Sequence, residues 1–210
     1  MYQPDHFRIN ELAVSQQLMR EHPLATLIVP LASGLVVNHI PLLLQTDGKG
    51  MGVLQGHVAR ANPVWKEASA SQEVLAIFHG AQGYISPGWY PTKREHGKAV
   101  PTWNYAVVHA WGTLRVVDDA AWLRDLVSRL TTTHEAQFDK PWSIDDAPAD
   151  YIDKMLSAIV GIEITITRLE GKAKVSQNQP AVNREGVVQG LGQNSDEQEM
   201  IRWINTSAPR

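Results

Sequence analysis

The 210 residues contain no cysteine, which excludes disulfides, thiolate metal sites and a cysteine nucleophile. A basic excess is missing too: 19 Lys and Arg stand against 22 Asp and Glu, for a net charge of −3. The chain therefore lacks the bias by which proteins grip nucleic acid through its phosphates, and DNA contact would need a local patch. No apolar run approaches the length of a membrane span, so no membrane partner is expected. The opening MYQPDHFRIN has no apolar stretch behind a basic start, so a secretory signal is not expected and a cytoplasmic location follows. Also lacking are a Gly-rich phosphate loop, a Gly-x-Ser-x-Gly elbow, a tight helix-turn-helix, internal repeats and low-complexity tracts.

What is present is ordinary for a folded chain. Hydrophobic residues make up 43% and charged residues 20%, enough for a full core and too little charge for disorder. The length suits one domain over residues 1–210, with helical insertions at about 119–157 and a helical or irregular tail from about 179.

Local patterns fill in that frame. Asn10 can cap a helix through Leu12, Val14 and Leu18 that Pro23 ends. Leu24 to Pro30, Gly34 to Leu44 and Met51 to His57 read as an antiparallel meander, with a turn at Asp47-Gly48-Lys49-Gly50. Arg60 to Ala70 reads as a short helix with Pro63 in its first turn. Val74 to His79 and Gly83 to Ser86 are two further strands. Asn104 to Val116 is the longest strand candidate, with His109, Trp111, Thr113 and Arg115 on one face. Trp122, Leu123, Leu126, Val127 and Leu130 recur at helical spacing, and a second helix spans Tyr151 to Ile159. Ile162, Ile164 and Ile166 alternate with polar residues as a half-buried strand. The sum is a mainly β, α+β chain of about six or seven mostly antiparallel strands with peripheral helices, a small barrel being the economical arrangement.

The chain is organised around Gly83 to Tyr105, where Trp89, Tyr90, Trp103 and Tyr105 surround Lys93, Arg94 and Lys98, with Pro87, Pro91 and Pro101 between. Leaving such rings in water forgoes roughly 2 kcal/mol or more each. Either the rings plug the end of a sheet while the cations stay solvated, or the stretch meets a planar, phosphorylated ligand by stacking and charge. Two other stretches could share that work. At His57 to Pro63 a strand passes into a helix, and Arg60 there is either a phosphate grip or a surface charge beside a capping Asn62. Lys172 to Asn178 sets two cations before polar side chains, which suits either the edge of a heterocycle or a polar turn.

Among the eight histidines, His39, His57, His79 and His109 fall on strands, but none has close His-x-x-x-His spacing and no carboxylates cluster near them. They read as structural or solvated, no metal site is expected, and one haem ligand stays open as the alternative. His134-Glu135 reads as a helix-end feature, since adjacent helical residues do not face each other. No catalytic residue is assigned.

Seven blocks carry a resemblance: MYQPDHF at 1–7, HPLATLIV at 22–29, GHVARANP at 56–63, YISPGWYPTK at 84–93, VPTWNYAVVHAWG at 100–112, AIVGIEI at 158–164 and KAKVSQNQP at 172–180. Through them the chain resembles the PaiB family of FMN-binding negative transcriptional regulators. Gly88 stands where a second serine is usual, and Gln179 where arginine is common, which removes one anion contact. The resemblance implies a split β-barrel of the pyridoxamine-phosphate-oxidase-like group, a homodimer with FMN at the subunit interface. It implies that His57, Arg60 and Asn62 receive the phosphate end, that Trp103 and Asn104 approach the ring from the second subunit, and that Lys174, Gln177 and Asn178 complete the site. Lys93 is a further candidate, on a loop peculiar to the family. The rival expectation is an enzyme, either a flavin-dependent oxidoreductase or a haem-degrading relative of the same barrel.

Overall fold

Pro23 stops the first helix as its missing amide requires, and the structure, a computed structural model, places that helix, α1, at Leu12–Glu21. Residues 1–48, 50–68, 72–193 and 197–207 are described, with the backbone alone for His96. Lys49 of the expected turn, residues 69–70 of the expected short helix, and residues 194–196 and 208–210 of the expected tail lie outside them.

The strands are β1 (Arg8–Ile9), β2 (Leu24–Leu31), β3 (Gly34–Pro41), β4 (Leu43–Gln45), β5 (Val53–Ala59), β6 (Glu73–Ile85), β7 (Thr102–Val117) and β8 (Ile159–Lys174). The further helices are α2 (Val64–Glu67), α3 (Lys93–His96), α4 (Ala120–Glu135), α5 (Ala149–Ser157), α6 (Ala181–Leu191) and α7 (Gln198–Thr206). The eight strands form one sheet ordered β3-β2-β6-β7-β8-β5-β4, with β1 on β8. Every pairing with a recorded register is antiparallel.

Three expectations are corrected. The run Gly34 to Leu44 is not one strand of a meander: Pro41 has no amide to continue the ladder, and Leu42 N donates instead to Pro23 O at 2.9 Å. β3 therefore pairs β2, β4 pairs β5, and the two stand at opposite ends of the sheet order. Gly80 and Gly83 do not interrupt β6. A Cβ on Gly80 would meet Leu18 at 3.1 Å and one on Gly83 would meet Glu197 at 3.1 Å, so close approach rather than a turn accounts for them. The helix after β5 shrinks to the single turn α2, where Asn62 Oδ1 accepts from Val64 N at 3.0 Å.

The chain divides into two compact units. The first comprises Met1–Glu21, Phe78–His109 and Glu170–Arg210, and the second His22–Ile77 and Ala110–Leu169. In the first, Ile85, Tyr90, Val175, Val187, Leu191, Met200 and Ile204 make an apolar core. Its helix α6 carries Gly186 and Gly190 one turn apart, and a Cβ there would stand 2.1 Å from the Trp89 carbonyl oxygen and 2.3 Å from the Trp89 ring. The glycines thus make a groove for Trp89, which ties the central loop to α6.

In the second unit β5 alternates buried and half-buried side chains, the period-2 pattern of a strand with one packed face. Its register on β8 sets His57 opposite Gly161. A Cβ on Gly161 would stand 2.3 Å from Trp122, so the glycine admits the indole of α4. Leu123 of α4 packs with Ile144, Ile152 and Leu156 in a small satellite core. Asp119 caps α4, its carboxylate accepting from Trp122 N at 2.7 Å.

Candidate functional site

Strand β7 begins within the first unit at Thr102 and β8 ends within it at Lys174, and beside these two ends lies a pocket of about 390 Å³. Tyr90, Lys98, Thr102, Asn104, Lys174 and Ser176 line it, together with Asn178, Gln179 and Asn183 from the segment that starts α6. That is the size of a cofactor cleft, with polar groups converging from several elements.

Asn104 has no exposed surface. Its Nδ2 donates to Ser176 Oγ at 2.9 Å, while its Oδ1 has no partner among the described residues. An amide carbonyl left unpaired in a buried place costs about 1–3 kcal/mol, so a donor is wanted there. Ser176 holds a left-handed backbone, φ 64°, among the described residues the one non-glycine with positive φ. Gln177 supports that turn: its Oε1 accepts from Val175 N at 2.8 Å and its Nε2 donates to Ala173 O at 2.6 Å. The Lys174 ammonium donates to Thr102 Oγ1 and, at 3.0 Å, to the Trp103 carbonyl. No carboxylate pairs with it among the described residues, so its charge is available to an anion at the pocket wall. Burial raises the Tyr90 phenol above its ordinary pKa, its contact with Ser176 acting the other way. Asn183 Oδ1 accepts from Thr92 Oγ1 at 3.1 Å and its Nδ2 donates to Gln179 Oε1 at 3.2 Å, bracing the far wall.

The structure brings together Asn104, Lys174 and Asn178 of the expected residues, with Trp103 as the backbone acceptor of Lys174 and Gln177 as a brace. Lys93 is exposed on the single-turn α3 and does not line the pocket. Sequence reasoning missed Thr102 and Asn183. Thr102 lies inside a quoted block with no pattern to single it out, nothing in the sequence marks Asn183, and Ser176 belongs to the polar run expected at 172–178 without being one of the assigned site residues.

His57, Arg60 and Asn62 belong to the second unit. Arg60 forks onto Asp118 with contacts of 2.9 and 2.6 Å and also donates to the carbonyls of Ser157 and Ile159. An incoming phosphate would compete with all four bonds. Asn62 spans Val64 N and, at 2.7 Å, Asn38 Oδ1. His57 Nδ1 is buried without a partner among the described residues, and burial lowers the imidazole pKa below its ordinary 6.5.

The donor set of the pocket fits FMN. Ammonium and hydroxyl groups suit its phosphate, and an unpaired carbonyl suits the imide N–H of its ring. Comparison with known proteins agrees. The family described as "Putative FMN-binding domain" matches residues 1–168. The chain is 36% identical over 216 residues to an uncharacterized protein of Emericella nidulans, AN0679, with 86% of each chain covered. It is 28% identical to the protease synthase and sporulation protein PAI 2 of Bacillus subtilis, over 91% of this chain and 89% of that protein. Among solved structures, the flavocytochrome Anf3 from Azotobacter vinelandii superposes with a TM-score of 0.57 at 13% identity, covering 80% of this chain and 69% of that one. The fold class is the expected split β-barrel, an eight-stranded, mainly antiparallel sheet with helices. With most of its length matched by the family and its pocket chemistry in accord, the chain belongs to the FMN-binding domain family, and its cofactor is FMN.

Proposed function

We propose that the pocket around Asn104 holds FMN, and that the loaded protein is a homodimeric, cytoplasmic, PaiB-like negative regulator of transcription. The observation that carries the placement is the unpartnered Asn104 Oδ1, wholly buried at a wall shared with Lys174. Lys98 and Lys174 provide positive charge for the phosphate, Thr102 and Ser176 provide hydroxyl donors, and Asn104 provides an acceptor for the ring. Bound FMN supplies one- and two-electron redox chemistry. Around it, Ser176 fixes the position of the Asn104 amide, and the Trp89 contact with α6 holds the loop that bears Tyr90 and Lys98.

The regulatory part of the reading rests on the sequence blocks shared with the PaiB family and on the likeness to PAI 2. A net charge of −3 means that direct DNA contact would use a patch formed in the dimer, or act through a partner. The test is sedimentation of the FMN-loaded protein followed by a mobility-shift titration against genomic fragments at low salt. A dimer that shifts a discrete subset of fragments supports the reading. A monomer, or retardation of all fragments alike, removes the regulatory part and leaves the flavin site to be judged separately.

A further inference from the structure

A second pocket of the first unit, about 570 Å³, is lined by Tyr2, His79, Trp103, Tyr105, His109 and Lys172. At the start of β7, Thr102 and Asn104 line the first pocket while Trp103 and Tyr105 line the second, as the alternation of a strand dictates. Two of its features are costly unless something binds. Trp103 is half exposed and meets Tyr84, also half exposed, edge-on at 6.2 Å between centroids. Lys172 is only 7% exposed, yet among the described residues no carboxylate pairs with its ammonium. Its partners are the Tyr2 carbonyl at 3.0 Å and the rings of Tyr2 and Tyr105, at 5.6 and 5.3 Å from their centroids. Buried cations are ordinarily paired with an anion.

From the aromatic walls and this buried ammonium we infer that the second pocket binds a planar aromatic anion, an aryl carboxylate or its equivalent, at a site separate from the flavin. The rings stack on the aromatic body, and Lys172 receives the charge. His79 and His109, at the same wall, offer imidazole hydrogen bonds to a substituent on the ring. The inference sets this site apart from the Asn104 pocket, and its failure leaves the flavin reading of that pocket intact.

The test is calorimetric titration of the full chain, with and without saturating FMN, using 2-naphthoate and its uncharged analogue 2-naphthamide. The acid is expected to bind saturably in both preparations and about tenfold more tightly than the amide. Lys172→Met is expected to abolish the preference and Lys172→Arg to retain most of it. Equal affinity for acid and amide, no saturable heat, or loss of naphthoate binding when FMN is present would overturn the inference. The wild-type comparison decides the matter even if Lys172→Met does not fold.

Discussion

Asn104 and Ser176 are joined by one hydrogen bond of 2.9 Å that fixes the Asn104 amide with its carbonyl oxygen unpaired in a fully buried place. Stability alone gives no reason for that arrangement. Ser176, whose own backbone is left-handed, accepts that bond through its Oγ, and Gln177 spends both ends of its amide on the adjacent main chain to support the turn. The cost is located at the wall of a pocket that also has an ammonium.

Asn104→Leu separates stability from binding. Removing the orphaned carbonyl relieves about 1–3 kcal/mol, and losing the bond to Ser176 costs about 0.5–1.5 kcal/mol. The FMN-free variant is therefore expected to be at least as stable as the parent within about 1 kcal/mol, by urea denaturation. Its FMN affinity is expected to fall by about 1–3 kcal/mol, by flavin fluorescence titration. A large loss of stability with unchanged FMN affinity would make Asn104 a packing residue.

Gly190→Ala tests the tie between α6 and the central loop. Helix propensity alone predicts a gain of about 1 kcal/mol from alanine. The new Cβ would stand 2.3 Å from the Trp89 ring, so a loss of about 1–3 kcal/mol is expected instead. The urea midpoint should fall, and a rise would mean that Trp89 is not seated in the glycine groove.

Much of this was legible in the sequence. The alternation of Ile162, Ile164 and Ile166, the spacing in Trp122 to Leu130 and the Pro23 stop all became the expected elements. The central stretch delivered Tyr90, Lys98 and Asn104 to one pocket, and the block at 172–180 delivered Lys174 and Asn178. What escaped depends on distant contacts. Local spacing gives no sign of the close approaches at Gly80, Gly83, Gly186 and Gly190, because the neighbours that exclude a Cβ are remote in sequence or belong to another element. The engagement of Arg60 with Asp118, 58 residues away, is invisible to local spacing, so a clamp and a phosphate grip look alike.

The clamp predicts a defined acid response. Arg60 holds the Asp118 carboxyl below its ordinary 3.8, and Asp118 raises the guanidinium. A carboxyl lowered on folding adds stability that is complete above its unfolded pKa and is lost as pH falls through the folded value. Both partners are part exposed, at 38% and 50%, so the effect is small and screened by salt. Arg60→Lys keeps the charge but loses the fork, and a slightly lower melting temperature at neutral pH with unchanged FMN affinity is expected. An affinity loss in that variant would place Arg60 in the flavin site.

His57 responds at higher pH. Burial lowers its pKa from 6.5, so the unfolded chain takes up the proton first. The stability it confers is complete above about 6.5 and drains away as pH falls toward the folded value. Replacing it by leucine is expected to flatten the dependence of unfolding free energy on pH between neutral and mildly acidic conditions. An unchanged slope would show that other groups set it.

The central claim, that the pocket of Asn104 and Lys174 receives FMN by its phosphate as well as its ring, is tested most directly by titrating wild type and Lys174→Met with FMN and riboflavin. The wild type is expected to prefer FMN, and Lys174→Met to lose about tenfold or more in FMN affinity while binding riboflavin as before. Equal losses for both ligands, or no loss for either, would contradict it.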